Sequence, residues 1–183
     1  MQGNWVDLQR RLREMAAAFL QKDDFVLVTN YDSDGLSGGA IIAQTMKRAR
    51  KKYQIKVLKQ LYPEMIPEIK ELGQNYFFVD FGSGQLDFLK NEFGENFFVL
   101  DHHQPLPVEH RWHGNPFLFG FDGGNEVSAA GMAYFFSVCV DKKNADLASL
   151  AVVGACGDMQ DETGKLRGLN AQIVTDGEKA GVL

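Results

Sequence analysis

Short apolar runs that end on a carboxylate constrain this chain more than any other feature. Tyr76-Phe77-Phe78-Val79 ends on Asp80, and Phe97-Phe98-Val99-Leu100 ends on Asp101, followed at once by His102 and His103. Phe25-Val26-Leu27-Val28-Thr29 runs into Asn30-Tyr31-Asp32-Ser33-Asp34-Gly35, and a later apolar stretch stops at Gly157-Asp158. Unbroken apolar runs bounded by polar turns suit strands buried on both faces. In an open parallel sheet the C-terminal ends of such strands line one edge, where ligands bind. Four separate segments thus each bring oxygen or imidazole groups to the end of a buried element.

Helical patterns separate these runs. Trp5, Leu8, Leu12, Met15 and Phe19 recur at three- and four-residue intervals, which predicts one amphipathic helix packed on the core. A helix is expected at about 36–52, basic at its far end where cations suit the dipole. A strand over 55–61 and a short helix started by Pro63 and Pro67 follow. The pattern continues with a strand over 77–81, a helix near 86–93, a strand over 97–100, and apolar helices over 127–140 and 145–155. Such alternation predicts an α/β fold: a doubly wound, mostly parallel, Rossmann-like sheet flanked by helices, with right-handed crossovers. No repeat or linker divides the 183 residues, so a single domain over 1–183 is expected.

Composition removes several classes. Hydrophobic residues make up 45% and phenylalanine alone counts 14, which excludes global disorder. The net charge of -5 excludes a broad basic footprint, although Lys47-Arg48-Ala49-Arg50-Lys51-Lys52 is a local basic stretch. No apolar run approaches the ~20 residues that span a bilayer, and the N-terminus has no signal-peptide pattern, so a cytoplasmic, membrane-free protein is expected. Cys139 and Cys156 both fall in apolar helical surroundings and are expected to be buried, reduced thiols.

Each polar strand end has an ordinary explanation when taken alone. Asp32 or Asp34 could cap the following helix, Asp80 could end a strand, and Asp101-His102-His103 could be a solvated loop. Asp158 could be a surface cap. Two carboxylates in one short turn repel each other unless a cation lies between them. Neutral imidazole is a favoured ligand for manganese, iron, cobalt or zinc, whereas magnesium prefers oxygen. All four segments together point to metal.

The four segments resemble the motifs of the DHH phosphoesterase superfamily: the Asp32-x-Asp34-Gly35 turn, the isolated Asp80, Asp101-His102-His103 and the late Gly157-Asp158. Asp80-Phe81-Gly82-Ser83-Gly84-Gln85-Leu86, Asn115-Pro116, Phe119-Gly120-Phe121-Asp122-Gly123, Ser128-Ala129-Ala130-Gly131 and Gly154-Ala155-Cys156-Gly157-Asp158 are similar to its archaeal RecJ-like branch. The resemblance runs from about Phe25 to Asn170. It implies a DHH catalytic domain with two divalent cations, commonly manganese, with magnesium as the alternative. Asp32 and Asp80 would bind the first ion, and Asp34, Asp80, His102 and Asp158 the second, with Asp80 as the bridge. His103 would face the scissile phosphate, and Asp101 would orient a neighbouring histidine. The implied activity is 5′-end-directed exonucleolytic hydrolysis of single-stranded DNA or RNA by metal-activated water, in DNA repair or replication. Alternatives are hydrolysis of short oligonucleotides or cyclic dinucleotides, and a catalytically impaired replication scaffold that binds GINS-like partners.

Two departures qualify the resemblance. The family's usual histidine two positions before the first aspartate is here Asn30, a neutral oxygen donor and a poorer ligand for a transition metal. Asn30 is therefore an additional, weak candidate ligand of the first ion. Family members also continue into a smaller substrate-gripping domain that these residues do not include. That domain is expected either as a further part of a longer chain or on a second polypeptide, with the N-terminal helix and Ala180-Gly181-Val182-Leu183 as candidate contact points.

Overall fold

Each buried apolar run becomes a strand of one parallel sheet. The computed structural model describes residues 3–162 and 164–183. Its strands are β1 (Asp24–Asn30), β2 (Lys52–Leu58), β3 (Tyr76–Val79), β4 (Phe97–Leu100) and the two-residue β5 (His113–Gly114). They lie in the order β2-β1-β3-β4-β5, and every pair is parallel. Helices α1 (Trp5–Leu20), α2 (Ser33–Arg48), α3 (Ile66–Glu71), α4 (Leu86–Phe93) and α5 (Ala129–Val140) cover the sheet, and α6 (Ala148–Gly157) and α7 (Gly168–Ala180) pack outside α2 and α5. This is the doubly wound α/β architecture that the alternation of runs predicts.

Side chains of successive strand residues point to opposite faces, and both faces are apolar. Leu27, Phe77, Val79, Phe98 and Leu100 pack against α1, α2 and α5 in one core. Val26, Val28, Tyr76, Phe78, Phe97 and Val99 pack against α3 and α4 in the other. The α1 stripe of Leu8, Leu12, Met15 and Phe19 is fully buried, so this helix is a core element. Val182 also packs on the first core, and the Val182 N–H closes back on the Gly177 carbonyl.

Several boundaries differ from the expectation, each for a local reason. Helix α2 begins at Ser33 because the Asp32 carboxylate caps it by accepting from the Gly35 N–H. It ends at Arg48, since Arg50 takes a left-handed φ of 57° and turns the chain into β2. The second strand consequently starts at Lys52, with Ile55 and Val57 half exposed on the sheet edge. The third strand stops at Val79, where Asp80 turns left-handed at φ 63°. Residues 142–147 form a 3₁₀ turn before α6. Helix α7 lies in a segment whose sequence pattern assigns it no element. Gly168, Asn170, Thr175 and Gly177 are poor helix formers, and packing of Leu169 and Ile173 into the core overrides that weakness. Cys156 is exposed and Cys139 half-buried, which corrects the expectation of two buried thiols.

One consequence concerns acid stability. His113 in β5 is 1% exposed, and burial pushes its imidazole down to about 4, against a smaller opposing pull from Asp101. A histidine held below its ordinary value contributes stability that is complete above pH ~6.5 and is lost as the pH falls toward ~4. The linked loss is about 3 kcal/mol across that window. Thermal melts of the wild type should therefore fall steeply from pH 6.5 to 4, and His113→Asn should flatten that slope. An unchanged slope in the variant would assign the acid loss elsewhere.

Candidate metal centre

Strand register assembles the centre. Thr29 pairs with Val79 and Val79 with Leu100, so the next residues, Asn30, Asp80 and Asp101, emerge side by side at one sheet edge. The chain runs from β1 to β2 on one side and then crosses to β3 on the other side of β1, so this edge is the topological switch point of the sheet. Asp80 is compatible with its left-handed backbone, a conformation that Asp adopts more readily than most residues. Asp34, in the first turn of α2, is fully buried and accepts from the Ala129 and Ala130 N–H groups at the start of α5, at 2.7 and 2.9 Å. Helix α6 delivers Asp158 from the other side. It approaches this closely because position 154 is glycine: a Cβ there would lie 2.5 Å from Asp34 Oδ1.

His102 sits at the middle of the cluster. Its Nε2 lies 3.0 Å from Asp158 Oδ2, 3.5 Å from Asp80 Oδ1 and 3.7 Å from Asp34 Oδ2. Its Nδ1 is 2.7 Å from the Gly123 carbonyl, which fixes Nδ1 as the donor and turns Nε2 toward the carboxylates. Ligand atoms of Asp34, His102 and Asp158 lie within 4.8 Å of one another, and so do those of Asp80, His102 and His103. Asp80 Oδ1 is buried and has no hydrogen-bond partner among the described residues, and buried His102 Nε2 faces only carboxylates, with Asp158 Oδ2 at 3.0 Å. Buried polar atoms rarely go unpaired, and a cation would satisfy both. The donor set of carboxylate oxygens and one imidazole suits manganese.

The other candidates are placed differently. His103 is 58% exposed at the rim, and its Nδ1 is 2.8 Å from Asp101 Oδ1. Asp101 lies behind it, buried, and also accepts from the backbone N–H groups of Ser83, His102 and His103. Asn30 turns its amide nitrogen, and not its carbonyl oxygen, toward the acids. It donates to Asp32 Oδ2 at 2.7 Å and Asp80 Oδ2 at 3.0 Å, while its Oδ1 accepts from the Tyr31 N–H. With Asp32 Oδ1 on the Gly35 N–H, both Asp32 oxygens are engaged. The Asn30–Asp32 corner is thus a closed hydrogen-bonded unit, whereas the His102 cluster is not.

Charge follows the same division. Burial pushes Asp80 up to about 7 and raises Asp34 as well, with the neighbouring acids adding to both and His102 opposing. Burial opposes a charge on His102, yet the Asp158 and Asp80 carboxylates and the Asp34 charge push it up to about 12. Asp101 is also deeply buried, but its bonds to His103 and Ser83 hold it well below the usual carboxylate range. Without a cation, the three acids around His102 keep that imidazole protonated. A divalent ion would displace that proton.

A cleft of 430 Å³ opens beside the centre, and Asn30, Lys59, Tyr62, Asp80, Gln85 and His103 help to line it. Tyr62 stands about half exposed in it, and Tyr31, also half exposed, lies outside its lining with its ring 5.9 Å from Lys59. Sequence reasoning missed these residues, and also Gly123, Gln160 and Asn170. The Gly123 carbonyl accepts from Gln160 Nε2, whose Oε1 accepts from Asn170. The segment Phe119–Gly123 contained the one signal available for Gly123, as part of the resemblance and with no role attached to it.

Comparison with known proteins agrees with the fold. No family model matches the chain. An uncharacterised protein of Methanocaldococcus jannaschii is 38% identical over 160 residues, which is 82% of this chain and 36% of that protein. Exonuclease RecJ bound to manganese superposes with a TM-score of 0.74 at 25% identity, over 91% of this chain and 46% of that one. RecJ from Thermus thermophilus in complex with Mn²⁺ gives 0.72 at 26% identity, over 92% of this chain and 26% of that one. CDC45 from Entamoeba histolytica shares the fold, with a TM-score of 0.61 at 17% identity over 97% of this chain and 37% of that one. The chain therefore spans about a third of its curated relative and less than half of these structures.

Proposed function

This chain belongs to the DHH superfamily in its RecJ-like form, and from that premise we propose that it is the catalytic domain of a metal-dependent nuclease acting on single-stranded nucleic acid from the 5′ end. The observation that carries the reading is the convergence of Asp34, Asp80 and Asp158 on His102 Nε2 at the sheet's switch point, with Asp80 Oδ1 unpaired among the described residues. In this reading Asp34, Asp80, His102 and Asp158 hold one divalent cation, manganese above magnesium. Asp32 and Asp80, with Asn30 beside them, hold a second. Bound cations supply Lewis acidity there, lowering the pKa of water and offsetting charge that develops on phosphate.

The chain's own residues have distinct tasks. Asp80 offers one oxygen to each side of the cluster. The Gly123 carbonyl keeps His102 in the tautomer that presents Nε2. Asp101 holds His103 at the rim, where its imidazole meets a phosphate oxygen entering the cleft. Tyr31 and Tyr62 offer faces for stacking bases, and Lys59 offers a charge for the backbone. Secure grip on a strand needs more cationic surface than this acidic chain carries, so we assign it to a further domain or a second polypeptide. The test is hydrolysis of 5′- and 3′-end-labelled single strands, DNA and RNA, with Mn²⁺, Mg²⁺ or chelator. Metal-dependent mononucleotide release from the 5′ end supports the reading. Cleavage only of very short oligonucleotides or cyclic dinucleotides would favour a small-substrate hydrolase.

A second reading is favoured by Asn30, whose amide bridges Asp32 and Asp80. A centre closed at that corner suits a scaffold with impaired catalysis, and the shared CDC45 fold is compatible with replication partners. Asn30→His separates the two. In the nuclease reading it should lower the manganese concentration for half-maximal rate by about tenfold, as imidazole replaces an amide at a metal site, and calorimetry should show a tighter second ion. A titration unchanged from wild type would place the remaining ligands elsewhere.

A further inference from the structure

A second polar network lies behind the metal centre, and nothing in the resemblance assigns it a role. Its members are Ser83 in the turn after β3, His113 in β5 and Asn115 just beyond β5. Ser83 and Asn115 are 0% exposed and His113 is 1% exposed. Asn115 Nδ2 donates to the His103 backbone carbonyl and to Ser83 Oγ, both at 2.8 Å. Its Oδ1 accepts from the Phe117 N–H at 3.0 Å, which sets the amide's direction. A reversed amide would set its oxygen against the His103 carbonyl and lose the Phe117 bond. Because Ser83 Oγ accepts from Asn115, its own hydrogen is directed to His113 Nε2, 2.8 Å away. His113 can accept it because burial keeps the ring neutral. Ser83 in turn donates its backbone N–H to Asp101 Oδ2 at 2.9 Å.

Asn115 thus grips the histidine loop at two points. It holds the His103 main chain directly, and through Ser83 it holds the carboxylate on which His103 Nδ1 rests. We propose that Asn115, backed by Ser83 and His113, is a positioning residue for His103. The proposal rests on the phosphoesterase reading of the centre. His103 is the exposed member of the cluster, its ring packed against that of His102 on one side, 4.4 Å between centroids, and otherwise open to solvent. Reacting groups lose much of their effect when displaced by about an ångström, so a rigid buried hub behind an exposed side chain acts on rate. Substrate affinity and cation binding depend on other groups, namely the cleft walls, Asp34, His102 and Asp158.

Asn115→Ser tests this directly. Serine keeps an oxygen able to cap the Phe117 N–H but is too short to reach both His103 and Ser83. On end-labelled single strands with Mn²⁺, kcat per folded molecule should fall roughly ten- to hundredfold, while KM and the half-saturating Mn²⁺ concentration stay within about twofold. In a His103→Ala background the same change should add less than about twofold, because its route to the reaction is gone. Equal losses in both backgrounds, or an unchanged kcat, would overturn the proposal. Ser83→Ala, which removes one oxygen and keeps the backbone N–H to Asp101, should give the same pattern at smaller size if Asn115→Ser does not fold. Should the wild type hydrolyse nothing with any divalent cation, the phosphoesterase reading falls by itself. Crystal structures then decide the network: His103 is expected on Asp101 in the wild type and displaced in Asn115→Ser, and an undisturbed His103 would refute it.

Discussion

Asp80→Asn is expected to lower manganese-dependent hydrolysis by about 10³-fold or more while raising the melting temperature of the metal-free protein. The loss follows from chemistry. Asp80 is the carboxylate between the Asn30–Asp32 corner and the His102 cluster, and a neutral amide cannot bridge two cations as its two oxygens can. Losing several kcal/mol of charge stabilisation corresponds to roughly that rate factor. The gain in stability follows from burial. Asp80 is 2% exposed and its carboxyl is pushed up to about 7, first by burial and then by the Asp34 and Asp101 charges. A carboxyl held above its ordinary value costs the fold nothing below pH ~4, costs progressively more up to pH ~7, and costs the full amount above it. Asparagine is neutral throughout and also accepts the left-handed backbone at this position. The advantage of the variant should therefore grow from pH 4 to 7 in chelator. Near-normal manganese-dependent activity would sink the assignment of Asp80 as the bridge.

Gly123→Ala should cost about 2–4 kcal/mol of stability and at least about tenfold in manganese affinity. A Cβ on residue 123 would overlap the His102 carbonyl oxygen and lie 2.9 Å from the Phe117 ring. A main-chain oxygen cannot step aside as a flexible side chain can, so the loop from 119 to 123 has to move. That loop carries the carbonyl on which both His102 Nδ1 and Gln160 Nε2 rest. Moving it leaves a buried imidazole without its fixed partner and turns Nε2 away from Asp34, Asp80 and Asp158. Partners of this kind behind a ligand typically carry ten- to hundredfold of metal affinity, as an order of magnitude. Gly84→Ala is the control for stability, because a Cβ there meets nothing within 4 Å among the described residues. Urea unfolding and manganese calorimetry measure both effects, and equal stability losses for the two variants would remove the close-approach argument.

Local pattern carried much of the architecture. Three apolar runs too short for helices and too buried for an open edge could only be central strands, and the helical stripes between them imposed a parallel sheet. The carboxylates at their ends were legible for the same reason, since strand ends in such a sheet share one edge. What local pattern could not decide was which groups meet there and with which atoms. Strand order and register brought Asn30, Asp80 and Asp101 abreast, and helix packing brought Asp34 and Asp158 to the same imidazole. The direction of the Asn30 amide was settled by the Tyr31 N–H and two carboxylates that fold around it. Ser83 and Asn115 stood in motifs of the resemblance with no role attached, and His113 carried no signal, because a buried hydrogen-bond network has no period along the chain. Gly123 stood in a motif with no role attached and Gly154 in an expected apolar helix, yet both are required by backbone and helices approaching from distant segments. By itself the sequence determined the class of fold, the chemical character of one edge and four of the five strands, β5 excepted, because these depend on neighbours along the chain. The tertiary structure alone decided the geometry of the centre, because that depends on contacts between residues far apart in the chain.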